Sequence, residues 1–207
     1  MISELLGDSK LGIYKIGVSF SVLAMPLVGV FSFVGVAGSG GIQAITLHGK
    51  PLTLIGNKSE VGKRLPTLRL PDLGMKMIDL QSFKGKVTIM SVVPSLDTPT
   101  CDKQTHILSE ENKGLDKIAN LVTVSRDLPF AQKRFAKNAK INNITFLSDY
   151  RDAEFGTKTG LLIKENRLLA RAIFVLDQTG VVRYLEIVSE LAKLPDMDKA
   201  MDFARSL

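Results

Sequence analysis

The fold of this chain is decided by the stretch Val87-Thr88-Ile89-Met90-Ser91-Val92-Val93-Pro94-Ser95-Leu96-Asp97-Thr98-Pro99-Thr100-Cys101. It begins as an apolar run rich in β-branched side chains, which is typical of a strand buried on both faces. The run ends at Pro94, and a short polar loop with a second proline, Pro99, follows. A helix is predicted to start after this loop. Cys101 would then lie at a helix N-terminus, where unpaired N–H groups and the helix dipole favour a thiolate over a thiol.

Cys101 is the only cysteine among the 207 residues. A single cysteine excludes an internal disulfide and a multi-cysteine zinc site. A lone cysteine is often just a small apolar side chain in the core. The polar loop with two prolines in front of Cys101 favours a reactive thiol instead, because a buried filler does not need such a loop.

The overall composition is that of an ordinary globular protein, with 45% hydrophobic and 23% charged residues. The formal net charge is +6. The lysines are scattered, and no basic stripe with interleaved aromatic residues is present, so nucleic-acid binding is not predicted. The length allows one domain with a proper core plus an extension.

The N-terminal part contains a 22-residue run, residues 16–37, without a charged side chain. Such a run is long for the core of a signal peptide and just long enough to span a bilayer. Residues 38–41, Gly-Ser-Gly-Gly, mark a flexible boundary. We therefore predict an apolar leader over residues 1–41 and a globular domain over residues 42–207.

Two fates of this leader remain open. Cleavage near the small residues Gly35 and Ala37 would release an exported domain, and without cleavage residues 16–37 would be a membrane tether. A secretory signal is the favoured interpretation. A buried core helix is disfavoured because Pro26 and several glycines interrupt the run. The protein is thus expected to be exported or membrane-anchored, and cytoplasmic if the leader is not functional.

The pattern beyond the leader predicts an α/β domain. A short β-hairpin is expected around His48-Gly49-Lys50, and two strands separated by Gln178-Thr179-Gly180 should pair antiparallel. From residue 87 onward the predicted elements are strand 87–93, a helix to about 113, strand 121–125, helix 130–139, an extended piece 144–147, strands 171–177 and 181–188, and a last helix opened by Pro195. With the brief extended piece left aside, the order is β-α-β-α-β-β-α, which indicates a thioredoxin-like fold with an N-terminal β-hairpin extension. Thr98 stands where the first cysteine of a CxxC motif would be, so disulfide oxidoreductase chemistry is not expected.

The segment Pro94–Cys101 fits the pattern Pro-x-x-x-Thr-x-x-Cys and resembles the active-site signature of the peroxiredoxins. Its wider context is similar to the thiol peroxidase subfamily in particular. Three further segments agree with that subfamily: Asp127-Leu128-Pro129-Phe130-Ala131-Gln132 with Arg134-Phe135, Leu147-Ser148-Asp149-Tyr150-Arg151, and Leu169-Ala170-Arg171-Ala172-Ile173-Phe174-Val175-Leu176-Asp177. The resemblance covers roughly residues 43–207.

The resemblance implies a thiol peroxidase that reduces hydrogen peroxide and alkyl hydroperoxides without a metal, flavin or haem. Cys101 would attack the peroxide and become a sulfenic acid. Thr98 would hydrogen-bond the thiolate, Pro94 would shield it, and Arg171 would supply a fixed positive charge. Each of the three has a plainer alternative: a helix cap for Thr98, a strand end for Pro94, and a surface ion pair for Arg171.

The chain departs from the subfamily pattern at Ala136. A second, resolving cysteine usually follows Arg-Phe in this subfamily, but Ala136 follows Arg134-Phe135 here. The sulfenic acid would therefore need an external thiol, such as a thioredoxin-like protein or glutathione. A homodimer is also expected from the resemblance. The missing cysteine leaves one alternative function, a non-turnover peroxide sensor or partner-binding homologue.

Overall fold

The computed structural model describes residues 45–207. The predicted leader and its boundary with the domain lie outside these residues. No helix within residues 45–207 is long and apolar enough to cross a membrane.

The described chain contains four α-helices and eleven strands, and the predicted alternation of strands and helices is found between residues 88 and 159. The helices are α1 (Pro99–Glu110), α2 (Pro129–Asn138), α3 (Glu154–Thr159) and α4 (Met197–Arg205). The strands are β1 (Ile45–Leu47), β2 (Lys50–Leu52), β3 (Leu54–Ile55), β4 (Arg69–Pro71), β5 (Met77–Asp79), β6 (Thr88–Val92), β7 (Asn120–Ser125), β8 (Thr145–Ser148), β9 (Leu162–Ile163), β10 (Ala172–Leu176) and β11 (Val182–Ile187).

A five-stranded sheet with the order β11-β10-β6-β7-β8 forms the centre of the domain. Strands β6, β7 and β8 run parallel, whereas β10 pairs antiparallel with both β6 and β11. This arrangement confirms the thioredoxin-like fold and the predicted pairing across Gln178-Thr179-Gly180. The extended piece at residues 144–147 is β8, the edge strand of the sheet.

Strand β6 is buried on both faces, as its apolar run predicts. The first face packs against α1, α2 and α4 in a core that contains Ile89, Val93, Cys101, Ala136 and Met201. The opposite face packs against α3 and the N-terminal strands, in a core built around Met90, Val92, Phe155 and Phe174. The sheet thus separates two cores, and Cys101 belongs to the helical side.

The predicted N-terminal hairpin is confirmed by the antiparallel pair β1–β2. Its turn places His48 and Gly49 at φ values of 50° and 75°, a conformation that favours glycine. A second small pair, β3 with β9, was not predicted. Each of these strands has two residues, too few to carry a periodic pattern.

The register between β6 and β10 creates the site. Ala172, the first residue of β10, lies opposite Val92, the last residue of β6. Because the two strands run antiparallel, Arg171 is placed beside the point where the chain leaves β6 for the loop to Cys101.

Candidate active site

The sulfur of Cys101 lies in the first turn of α1, as predicted. The helix begins with Pro99, whose missing N–H costs nothing at this position. Cys101 is fully buried, and burial alone would agree with the interpretation of a lone cysteine as a small apolar side chain in the core. Its polar contacts contradict that interpretation, because Sγ has a hydroxyl group and a guanidinium group as neighbours.

Thr98 directs its hydroxyl group to the sulfur. The Oγ1 atom lies 2.9 Å from Cys101 Sγ and 3.0 Å from the carbonyl oxygen of Ser95. Thr98 occupies the N-cap position of α1, but its side chain makes no capping hydrogen bond. The single hydroxyl proton can turn toward Ser95 when sulfur is a thiol and toward Sγ when sulfur is a thiolate.

Arg171 approaches the sulfur from the other side. It is only 2% exposed, and its Nη2 atom lies 3.3 Å from Cys101 Sγ. Its Nε donates to the carbonyl of Leu191 at 2.9 Å, and its Nη1 donates to Oε1 of Gln104 at 2.8 Å. Within residues 45–207 no carboxylate forms an ion pair with Arg171, so the predicted alternative of a surface ion pair is wrong for this part of the chain.

Gln104 holds the guanidinium in place from the next turn of α1. It is fully buried and donates through Nε2 to the hydroxyl of Ser91 in β6 at 2.7 Å. Its amide oxygen is therefore directed toward Arg171. Two rigid elements, a strand and a helix, together orient this arginine.

Asp127 holds the loop that precedes Cys101. Its carboxylate accepts hydrogen bonds from the hydroxyl of Ser95 at 2.7 Å and from the backbone N–H of Leu96 at 2.8 Å. The hydroxyl of Ser125 donates to the same carboxylate at 2.7 Å. The loop is thus tied to the end of β7.

Pro94 and Ala136, which the sequence analysis singled out, are both buried. Pro94 lies two residues beyond the end of β6. Ala136 is 5% exposed and lies in the same apolar core as Cys101. His106 is half-exposed on α1 between Asp102 and Glu110. No cluster of three metal-ligating side chains occurs within residues 45–207.

This arrangement can support nucleophilic chemistry at sulfur. A positive group and a hydroxyl donor both point at Sγ, and each interacts more strongly with a thiolate than with a thiol. The same two groups can stabilise negative charge that develops on an atom reacting with the sulfur.

The comparisons with known proteins agree with this geometry. The Redoxin family model matches residues 60–201. The thiol peroxidase of Halalkalibacterium halodurans is 44% identical over 165 residues, which cover 80% of this chain and 99% of that protein. The thiol peroxidase of Bacillus subtilis is 44% identical over 163 residues, 79% of this chain and 97% of that protein. The chain belongs to the thiol peroxidases.

Solved structures extend the likeness to the fold. A peroxiredoxin-like protein from Aquifex aeolicus superposes with a TM-score of 0.74 at 35% identity and covers 79% of this chain and 96% of that one. A thiol peroxidase from Chromobacterium violaceum reaches a TM-score of 0.70 at 23% identity, with the same coverages. The Redoxin match and the curated relatives together make this chain a thiol-dependent peroxidase of the peroxiredoxin type. It differs from the expected subfamily pattern in having a single cysteine.

Two residues of the site received no role in the sequence analysis. Gln104 follows Cys101 by three positions in α1, and residues with this spacing lie on the same face of a helix. The spacing therefore predicts that Gln104 lies on the buried face of α1 together with Cys101. Asp127 directly follows a buried parallel strand, and polar residues at the carboxyl ends of such strands often meet in a site. The carbonyl of Leu191 carried no sequence signal.

Proposed function

We propose that Cys101 is the peroxidatic nucleophile of this thiol peroxidase. The thiolate attacks the hydroxyl oxygen of a hydroperoxide, and the O–O bond breaks. The other oxygen leaves with the electron pair and takes up a proton from solvent, equivalent to the one that the thiol released, to become water or an alcohol. Sulfur gains one oxygen and becomes a sulfenic acid. The observation that supports this assignment is the placement of Thr98 Oγ1 and Arg171 Nη2 at 2.9 and 3.3 Å from Sγ.

Three residues assist the sulfur in this proposal. Arg171 holds the thiolate and stabilises charge on the breaking O–O bond. Thr98 donates a hydrogen bond from its hydroxyl to the thiolate and then to a peroxide oxygen. Pro94, buried after β6, keeps water and bulky oxidants away from sulfur.

The second half of the cycle requires a thiol from outside the chain. That thiol attacks the sulfenic sulfur, water leaves, and a mixed disulfide forms that a second thiol then reduces. Because Cys101 is fully buried, a protein thiol reaches the sulfur only after the residues that cover it move. A thioredoxin-like protein and glutathione are the two reductants that we propose to compare.

The decisive experiment is a titration of the full chain with hydrogen peroxide or cumene hydroperoxide, followed by intact mass. A fast, stoichiometric gain of one oxygen that is absent in Cys101→Ser supports the assignment. Oxidation at the slow rate of an ordinary free thiol contradicts it. Continuous peroxide consumption with each added reductant then identifies the thiol that supports turnover.

We further propose that residues 1–41 form a separate leader that exports or tethers residues 42–207, and that this thiol peroxidase forms homodimers. The uncharged run of residues 16–37 supports the first proposal, and the family resemblance supports the second. N-terminal sequencing of the protein from its native membrane and soluble fractions tests the leader: an intact N-terminus in the soluble cytoplasmic fraction contradicts export and tethering. Sedimentation equilibrium tests the dimer.

A further inference from the structure

Asp127 lies at the junction of three parallel strands. Ser95 and Leu96, which bind its carboxylate, belong to the loop after β6. Ser125, the third donor, is the last residue of β7. Ser148, the last residue of β8, donates its hydroxyl to the backbone carbonyl of Asp127.

The surrounding contacts leave this carboxylate little freedom. Gln132 is fully buried and donates through Nε2 to Ser125 Oγ at 3.0 Å and to the carbonyl of Leu147 at 2.9 Å. Ser125 Oγ therefore accepts from α2 while it donates to Asp127. Hydrogen bonds to an ionised acceptor are stronger than bonds between neutral groups, so the carboxylate is a firm anchor.

A short chain of contacts connects this anchor to the sulfur. Asp127 holds the side chain of Ser95, and the carbonyl of Ser95 lies 3.1 Å from the backbone nitrogen of Thr98 and 3.0 Å from its Oγ1 atom. Thr98 Oγ1 in turn contacts Cys101 Sγ. A displacement of Ser95 would therefore move the hydroxyl that faces the sulfur.

We propose that Asp127 is a positioning residue for peroxide reduction, which acts by holding Ser95 and Leu96 so that the Thr98 hydroxyl faces Cys101. It is not a catalytic residue, since its carboxylate bonds to the loop and to Ser125 and not to the sulfur. This inference rests on the proposed peroxidase function of Cys101.

The primary measurement is the second-order rate constant for oxidation of Cys101 by hydrogen peroxide in a single turnover of the full chain. Asp127→Ala is expected to lower this constant by about 10²-fold, the cost of an ångström-scale misplacement of a reacting group. Asp127→Asn retains an oxygen that can accept from the N–H of Leu96, so its rate should lie between those of Asp127→Ala and the wild type. Asp97→Ala is the matched control, because it removes a carboxylate from the same loop without breaking the contacts to Asp127.

A double-mutant cycle separates positioning from general destabilisation. In a Thr98→Val background the hydroxyl to be positioned is absent, so Asp127→Ala should change the remaining rate by no more than about twofold. A merely structural role would reduce the rate by the same factor in both backgrounds. If Asp127→Ala does not fold, Asp127→Asn enters the same cycle.

The outcomes distinguish this inference from the proposed function. Slow oxidation of the wild type contradicts the peroxidase assignment itself. When the wild type is oxidised fast, two results overturn the positioning role alone. The first is an unchanged rate in both Asp127 variants, and the second is an equal rate loss from Asp127→Ala in the wild-type and Thr98→Val backgrounds. A large loss in Asp127→Ala that disappears in the Thr98→Val background supports it.

Discussion

The Nη2 atom of Arg171 lies 3.3 Å from the Sγ atom of Cys101, and both side chains are buried. The other acceptors of the guanidinium are neutral: the carbonyl of Leu191 and the amide oxygen of Gln104. A buried charge without a partner costs several kcal/mol. Among the contacts of Arg171 in residues 45–207, only Cys101 can carry the compensating negative charge, so this pair couples the sulfur to the arginine.

Replacing Arg171 should therefore slow peroxide reduction. We expect Arg171→Met to lower the rate of Cys101 oxidation by about 10²- to 10³-fold, the effect of removing one donor that stabilises transition-state charge. Arg171→Lys should remain far below the wild type, because one ammonium group cannot reproduce the planar fork that reaches Leu191, Gln104 and the sulfur together. Stopped-flow measurement of the single-turnover rate checks both variants.

A surface arginine on the neighbouring strand provides the control for Arg171. Arg183 in β11 pairs with Asp177 at 2.7 Å and is exposed. Arg183→Met should leave the oxidation rate unchanged. Equal rates for Arg171→Met and Arg183→Met would contradict a role of the Arg171 charge at sulfur.

The hydroxyl of Thr98 is the second group that faces the sulfur. Thr98→Val keeps the side-chain shape and removes the hydroxyl, so we expect a loss of about 10²-fold in the oxidation rate, comparable to the loss of one positioned donor. Thr98→Ser keeps the hydroxyl and should stay within several-fold of the wild type. Thr100→Val is the control. Thr100 lies in the same helical turn as Cys101, and its hydroxyl contacts the carbonyl of Ala192 at 3.4 Å and not the sulfur. A wild-type rate in Thr98→Val would exclude the proposed hydrogen bond from the mechanism.

Position 136 tests whether the missing cysteine alone prevents an internal disulfide. We expect Ala136→Cys to form a disulfide with Cys101 after one equivalent of peroxide, because a thiol in the same apolar core can attack the sulfenic sulfur and release water. Intact mass should then show the loss of two hydrogens instead of the gain of one oxygen. Asn138→Cys, on the exposed face of α2, is the control and should form less of this product. Persistent sulfenic acid in Ala136→Cys would show that α2 does not reach the sulfur.

Glu190 should make the stability of this thiol peroxidase sensitive to acid. Its carboxylate accepts hydrogen bonds from the hydroxyl of Thr46 and from the backbone N–H groups of Gly49, Ala192 and His48, which lower the pKa of Glu190 from 4.5 to about 2. Because the pKa in the folded state is below the unfolded value, this contribution is complete above pH 4.5 and is lost as the pH falls toward 2.

Thermal unfolding checks this expectation when it is measured from neutral pH down to about pH 2, the pKa of Glu190 in the folded protein. Glu190→Gln should reduce the decline in melting temperature over the acidic part of that range. Glu111→Gln, at an exposed position directly after α1, should leave the decline as in the wild type. Parallel curves for the wild type and Glu190→Gln would contradict the assignment of the acid-sensitive step to Glu190.

Local patterns were sufficient for most of the elements. The apolar run before Pro94 predicts β6 because a strand buried on both faces has no polar alternation. The spacing of Met197, Ala200, Met201 and Ala204 predicts α4, whose buried face consists of these four residues. The two-residue strands β3 and β9 could not be predicted, since their pairing depends on residues more than a hundred positions apart.

The sequence by itself determined the strand, the polar loop and the position of Cys101 at a helix start, because each depends on neighbours within a few residues. The family resemblance implied roles for Thr98 and Arg171 at the sulfur. Only the tertiary structure decided how Arg171 reaches the sulfur and which further residues hold the site. Arg171 reaches Cys101 because Ala172 of β10 lies opposite Val92 of β6, and Asp127 reaches the loop because β7 lies beside β6. Strand order and register bring residues from distant parts of the chain to one end of the sheet, and no periodic pattern along the chain contains that information.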